Sequence, residues 1–392
     1  MQQMSNVKKM TVFFAIFFVS LTLRPAVTSV GPLMNTIQDD LQITNTQISL
    51  LTAIPVFCMG LFAPLAVPFL KSFGYKHSIN GLVILIGLST SARVYFDSYV
   101  ALLATSFLVG FAIAIISPII NAYIKETFEE NMAPVIGIYS FAIGAGATLS
   151  AGLTGPIYEH TSNWSFALAV WGFVSIIALL FWTLAVSSKI KVKQIKRVDF
   201  VKRNPWKTKI AWIILLYFGL QTALFFSLTA WLPSIGQEQG YSLITAANVL
   251  TFMSIIQLIG NLTISSLISK FPNVITWLYS LISIGFIGAI IFMLNTSWSI
   301  WLGVLLLGIA LSGLFPIGLL LPLQEAENHT EANEWSSMVL AGGFMMSAIL
   351  PLFIGVLYDL TNSHVYTKSL FVLLFILMGI TIVFYQRMSK RV

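Results

Sequence analysis

Runs of about 20 predominantly apolar residues recur along this chain, each long enough to cross a bilayer as a helix. Twelve can be counted, near 9–36, 46–70, 76–96, 98–125, 131–158, 163–186, 208–236, 242–269, 273–294, 298–323, 335–358 and 367–386. Such runs leave little choice of fold, because in hydrocarbon every backbone N–H and C=O must be paired within its own segment. With 9% charged residues, against the roughly 25% usual for soluble domains, the expected class is an all-α integral membrane protein with twelve transmembrane helices. The first run continues past any small-residue cleavage point, so it reads as a span and not a cleaved leader. Cys58 is the one cysteine, which excludes disulfides and cysteine metal clusters.

The net charge of +7 is concentrated in one place. Residues 187–209 hold nine basic residues (Lys189, Lys191, Lys193, Lys196, Arg197, Lys202, Arg203, Lys207 and Lys209) against the single acid Asp199. Beside membrane spans, such a loop signals cytoplasmic topology and contact with anionic lipid before it signals nucleic acid. With the N-terminus inside, 18 of the 21 basic residues fall on the cytoplasmic side. Both termini and the central loop are therefore expected in the cytoplasm of a cell-membrane protein. The inner loop after span 10 is unusual in carrying Glu325, Glu327, Glu331 and Glu334.

Six spans precede the basic loop and six follow it. Gly155, Tyr158, Glu159 and Thr161 recur at an offset of 200 as Gly355, Tyr358, Asp359 and Thr361, and Gly60 recurs as Gly260. Gly110 and Pro118 recur at 198 as Gly308 and Pro316. Two pseudo-symmetric six-helix bundles follow, with 1–186 and 210–392 joined by a basic linker at 187–209. Carriers built from such repeats place their site near the midplane, between repeats.

Few polar groups lie deep in the spans. Arg24 falls near the middle of span 1, roughly 20 Å from Met10 at ~1.5 Å per residue, where an arginine costs on the order of 3 kcal/mol and faces protein or a water-filled cavity. Pro25 beside it removes a backbone donor and opens the helix there. Arg24 thus reads as an anion-attracting group, or else as a charge pinned against helix-end carbonyls. Gln221 and Gln257, near the centres of spans 7 and 8, offer both donor and acceptor to a small polar ligand, or serve as interhelical ties. Tyr139 in span 5 is a further candidate hydroxyl donor. Arg93, near the outer end of span 3, has Asp97 four residues on for an ion pair and reads as a snorkelling residue or an outer gate. Trp231 reads as an interfacial belt residue. Glycines 144, 146, 152 and 155 allow close packing in span 5. The four histidines sit at span ends or in loops and are assigned no proton relay. No zinc-protease pair, phosphate-binding loop or nucleophile elbow occurs, so no catalytic residue, metal or cofactor is expected.

Two six-helix halves joined by a basic inner loop resemble the major facilitator superfamily. Within it, Leu23-Arg24-Pro25-Ala26 with Gly31-Pro32-Leu33, Phe218-Gly219-Leu220-Gln221 with Ala230-Trp231-Leu232-Pro233, and Gly313-Leu314-Phe315-Pro316 resemble the cyanate and nitroimidazole permeases, relatives of nitrate/nitrite permeases. The chain departs from the superfamily pattern in three places. The loop at 65–76 keeps Lys71, Gly74 and Lys76 but lacks the usual aspartate. The Gly-Pro pattern of span 5 survives only as Gly155-Pro156, a gating or structural element. In span 11 it becomes Leu350-Pro351, which alters the bend. The resemblance implies a monomeric carrier of a small anion or small polar compound, working by alternating access. The alternatives are a broad-specificity exporter of larger organic compounds, a membrane enzyme without a visible catalytic cluster, and a transporter-like sensor. All 14 acids fall in loops or near span ends. With no titrating group inside the bundle, exchange or uniport is expected, or a proton carried with the substrate.

Overall fold

The computed structural model describes residues 6–95, 98–128, 132–186, 203–271, 273–327 and 329–389, and among these there is no strand. The helices in chain order are α1 (Asn6–Leu21), α2 (Pro25–Thr28), α3 (Met34–Leu41), α4 (Asn45–Leu61), α5 (Ala66–Ser91), α6 (Tyr99–Thr127), α7 (Met132–Thr161), α8 (Trp164–Ala169) and α9 (Phe173–Ala185). After the basic segment come α10 (Lys209–Glu238), α11 (Leu243–Lys270), α12 (Val274–Phe292), α13 (Ser297–Glu325), α14 (His329–Ser347), α15 (Ile349–Thr361) and α16 (Val365–Met388).

Among the described residues, eleven helical stretches are long and apolar enough to cross a membrane, and α4 is a shorter apolar helix. The count comes to eleven because α5 joins the end of the expected second span to the third. Gly74 interrupts it at φ +68°, ψ 175°, a backbone region open to glycine but not to side chains. The Ser78 hydroxyl donates to the Phe69 carbonyl at 3.1 Å. Nine residues of straight helix would span about 13 Å, so the chain folds back at Gly74 and twelve passes result.

The chain divides into two compact units, one of Met1–Ile43 with Leu50–Gln194 and one of Thr44–Ser49 with Ile195–Val392. In the first, α1 lies against α7 and α9, and α5 against α6 and α9. Aromatic stacking ties α1 down, with Phe18 and Phe181 centroids 5.0 Å apart. In the second, α10 is the axis. It packs against α11, α13, α14, α15 and α16, and its residues from Tyr217 to Leu224 are all buried.

The second unit also accounts for the acidic loop. Arg203 lies 3.7 Å from both Glu327 and Glu331 and over the Trp335 ring at 5.1 Å. The Trp335 indole N–H donates to the Arg203 carbonyl. Buried Glu325 accepts from the Tyr385 hydroxyl at 3.0 Å and from Ser389. The acids thus hold the end of the basic segment, whose residues 187–202 lie outside the described residues. At the other end of this unit, the Asp359 carboxylate accepts four hydrogen bonds of 2.5–2.9 Å from the backbone and side chains of Asn45 and Thr46. This clasp is why 44–49 group with it.

Candidate functional site

The first unit's polar centre is a break in its first span. Pro25 has no N–H, so the Leu21 carbonyl four residues back loses its helical partner and α1 stops at Leu21. Gly146 of α7 covers that carbonyl: a Cβ placed there would stand 2.5 Å from the Leu21 oxygen and 3.3 Å from the Pro25 ring. Hydroxyls take up neighbouring backbone groups. Thr22 donates to the Val19 carbonyl at 2.7 Å, and Thr28 donates to Arg24 at 3.0 Å while pairing with Ser150 at 2.5 Å. Arg24 precedes the four-residue α2 and is only partly buried.

Tyr139 stands on the face of α7 that also carries Gly146 and Ser150, at i, i+7 and i+11. Its hydroxyl bonds to Ser117 of α6, and it lies within electrostatic reach of the Arg24 guanidinium. A planar cation with five donors beside a phenol suits the negative or strongly polar end of a small solute. Of the expected recognition residues, the structure brings Arg24 and Tyr139 together.

Arg93 does not snorkel. It is 1% exposed and donates to the Ala26 carbonyl at 2.9 Å and to the hydroxyls of Thr105 and Ser106 at 3.3 Å. A short 3-10 turn over Ala92–Tyr95 ends the third span and aims the side chain at α2. Three neutral acceptors then offset part of its desolvation. Asp97, its expected ion-pair partner, lies outside the described residues. α7 runs unbroken through Gly155 and Pro156.

In the second unit, Gln221 is 0% exposed. Its amide donates to the neighbouring Thr222 hydroxyl at 2.6 Å, while its Oε1 has no hydrogen-bond partner among the described residues. Gln257 is likewise buried, with its Nε2 unpartnered among them. Trp231 is no belt residue: it is fully buried and donates to the Pro351 carbonyl at 3.0 Å. The span is interrupted at Ala348, between the end of α14 at Ser347 and the start of α15 at Ile349, and Leu350-Pro351 lies in the first turn after that break.

His364 sits at a span end, as its position indicates, but it is 1% exposed. Its ring contacts Ser234 and Thr367 at 3.2 and 3.1 Å and lies tilted against Tyr358, with centroids 4.3 Å apart. Burial, with Lys368 nearby, pushes it down to about 3. Sequence reading also passed over Asn261, one turn beyond Gln257. Among the described residues no cluster of His, Cys, Asp and Glu has the make-up of a metal site.

The sequence signature described as Major Facilitator Superfamily matches residues 12–333. The chain is 28% identical over 370 residues to the uncharacterized transporter YycB of Bacillus subtilis, covering 93% of this chain and 90% of that one. It is 28% identical over 359 residues to the cyanate transport protein CynX of Escherichia coli, covering 89% and 90%. It is 27% identical over 239 residues to the 2-nitroimidazole transporter of Escherichia coli, 61% of each chain. In fold it is similar to a bacterial homologue of the lysosomal transporter Spinster, with TM-score 0.76, 15% identity and coverage of 99% and 98%. It is also similar to the nucleoside transporter NupG, with TM-score 0.77, 12% identity and coverage of 97% and 100%. With its all-helical multi-pass architecture and a match over most of its length, the chain belongs to the Major Facilitator Superfamily, as a membrane transporter of small molecules and not an enzyme.

Proposed function

We propose that this carrier moves a small anion or small polar compound by alternating access between two halves, 1–186 and 210–392, linked by 187–209. The observation that carries this reading is Arg24, a half-buried arginine at a proline-broken span with Tyr139 beside it. Relatives named for cyanate and 2-nitroimidazole support the size and polarity of the solute. Arg24 holds the negative or electron-rich group, Tyr139 donates a hydroxyl, and Gln221 and Gln257 are the second unit's contribution. Arg93, holding the segment after Pro25, serves as a structural brace, while Gly155 and Pro156 are elements of gating motion.

The test is uptake of cyanate and of 2-nitroimidazole into proteoliposomes. Arg24→Ala is expected to lower uptake about 10–100-fold, the loss of charge-assisted hydrogen bonds worth about 1.5–3 kcal/mol, with the protein still folded. Arg24→Lys recovers little, because a point charge does not reproduce a planar fork. Normal uptake by Arg24→Ala overturns the reading. Internal substrate is expected to accelerate uptake more than a pH gradient does, since no acid lies deep in the spans.

The carrier is placed in the cell membrane as a monomer, with both termini in the cytoplasm and the basic segment against anionic lipid. In a Cys58→Ala background, single cysteines at Gln38, Gln237 and Asn362 should react with an impermeant thiol reagent on intact cells. Those within 187–209 should not, and their labelling from outside reverses the orientation.

A further inference from the structure

α11 presents three chemically distinct faces. One packs on α13: Met253 and Ile256 meet Gly308, Gly260 meets Ser312, and Ile264 meets Gly313. A second is apolar and exposed, with Ile255 at 43%, Ile259 at 58% and Leu262 at 50%. The third carries Ser254, Gln257 and Asn261. At about 100° per residue these three fall within about 60° of one another, about 80° from the α13 face and about 140° from the exposed one. The stripe turns away from the exposed face; Gln257 borders the α13 packing, about 20° from Ile264, while Asn261 and Ser254 lie about 60–80° beyond it.

Its two amides are not consumed in holding the unit together. The Gln257 Nε2 and the Asn261 Oδ1 have no hydrogen-bond partner among the described residues, and Gln257 is 8% exposed. Ser254, by contrast, is satisfied by the Leu250 carbonyl at 3.0 Å. Buried polar groups left unpaired are costly in a folded protein, and more so in a helix that also faces lipid. The same stretch one repeat earlier shows that the fold does not require them. At an offset of 200 the residues are Ile54, Phe57 and Leu61, all apolar.

We propose that Gln257 and Asn261 form a neutral recognition element of the second unit, one amide offering a donor and the other an acceptor about one helical turn apart. The chemistry it selects is a planar polar solute with both an N–H donor and an acceptor, such as a nitrogen heterocycle. A linear anion carries acceptors alone and gains less from it. This rests on the transport reading above and adds Asn261 as a residue that sets specificity.

The experiment compares full-length wild type with Gln257→Met, Asn261→Leu and the double variant, each chosen to keep the side chain's length or branching while removing the amide. The first readout is the Tm of the substrate-free protein in detergent. Removing unpaired buried amides should raise it by about 2–4 °C in the double variant. A fall of several degrees, in the double variant or in both single ones, marks the amides as ties between helices and overturns the proposal. The second readout is the ratio of 2-nitroimidazole to cyanate uptake in proteoliposomes, which should drop at least about tenfold in Asn261→Leu. An unchanged ratio overturns the proposal while leaving the transport reading intact. If wild type takes up neither solute, the transport reading fails and the Tm shift alone decides whether the amides are held in reserve.

Discussion

The first span of the first unit and α10, the first span of the second, occupy equivalent places in the repeat and are built in opposite ways. At an offset of 200, Thr22 meets Thr222, but Leu21 is replaced by Gln221, Arg24 by Leu224 and Pro25 by Phe225. The first span breaks after Leu21, resumes for four residues and ends through a 3-10 turn into α3. α10 runs for 30 residues without interruption. The charge and the break go together. An arginine deep in a span needs irregular backbone or other polar groups around it, and the proline break provides the irregular backbone. An amide needs no such opening, so Gln221 sits inside a continuous, closely packed helix. One unit thus carries charge on irregular backbone, and the other carries neutral polarity on regular backbone.

Moving the charge without the break is the harshest way to challenge this comparison. Leu224 is 0% exposed, so Leu224→Arg places a cation in a sealed helix with no proline beside it. It is expected to prevent folding, at a cost of at least about 3 kcal/mol, read as loss of the monodisperse peak in detergent chromatography. A well-folded Leu224→Arg protein would show that the break is not what admits Arg24. A gentler challenge leaves the charge alone and disturbs the cover over the break. Gly146→Val drives side-chain carbons into the Leu21 carbonyl and should cost about 1–3 kcal/mol, seen as a lowered Tm together with reduced uptake. The equivalent change at Gly137 of the same helix, where a Cβ meets nothing within 4 Å, should cost far less.

The smallest effect separates the units by pH. His364 in the second unit has Trp164 as its counterpart at the same offset, and Trp164 donates to Asp40 at 2.7 Å without titrating. Burial holds His364 neutral, with its folded value near 3 and its unfolded value near 6.5. The unfolded chain therefore binds the extra proton first, and stability falls as pH drops from about 6.5 toward 3. Glu238, 3.9 Å from the ring, and Lys368 are the charged groups around it. Tm should decline by several degrees between pH 7 and pH 4.5, and His364→Gln should flatten that decline. An equally steep decline in the variant assigns the effect to other groups.

Hydropathy made the spans legible because in a bilayer length and apolarity nearly determine the helix. The junction at Gly74 was legible too, since Lys71 and Lys76 mark the gap between the expected second and third spans; what the residues did not announce is that one glycine at positive φ makes the whole turn within a single assigned helix. The break at Arg24 was readable, since proline acts on its own neighbours. The partner of Arg93 was not. Its acceptors are a backbone carbonyl, which has no sequence signature, and two hydroxyls ten or more residues away. Snorkelling therefore looked sufficient. Trp231 misled for a related reason: an indole near a span end suits the interface, but the Pro351 carbonyl that captures it comes from a distant helix. Asn261 was legible in its spacing from Gln257, yet only the packing of α11 on α13 showed which face it occupies.

The cover over the first break has a consequence for how the protein is made. α1 alone, 16 residues or about 24 Å long, falls short of a ~30 Å hydrocarbon core. Its continuation exposes the Leu21 carbonyl until Gly146 arrives. The ribosome delivers Arg93 several helices later, and α7 later still. Throughout that interval the first span carries the Arg24 cation without Tyr139 beside it, and an uncovered peptide group. A segment in that condition partitions poorly into lipid on its own. Such a segment should stay at the insertion machinery or beside its early neighbours until α7 is made, so a chain truncated before α7 should integrate its first span poorly. The order of synthesis thus makes α7 the element that completes the first membrane crossing.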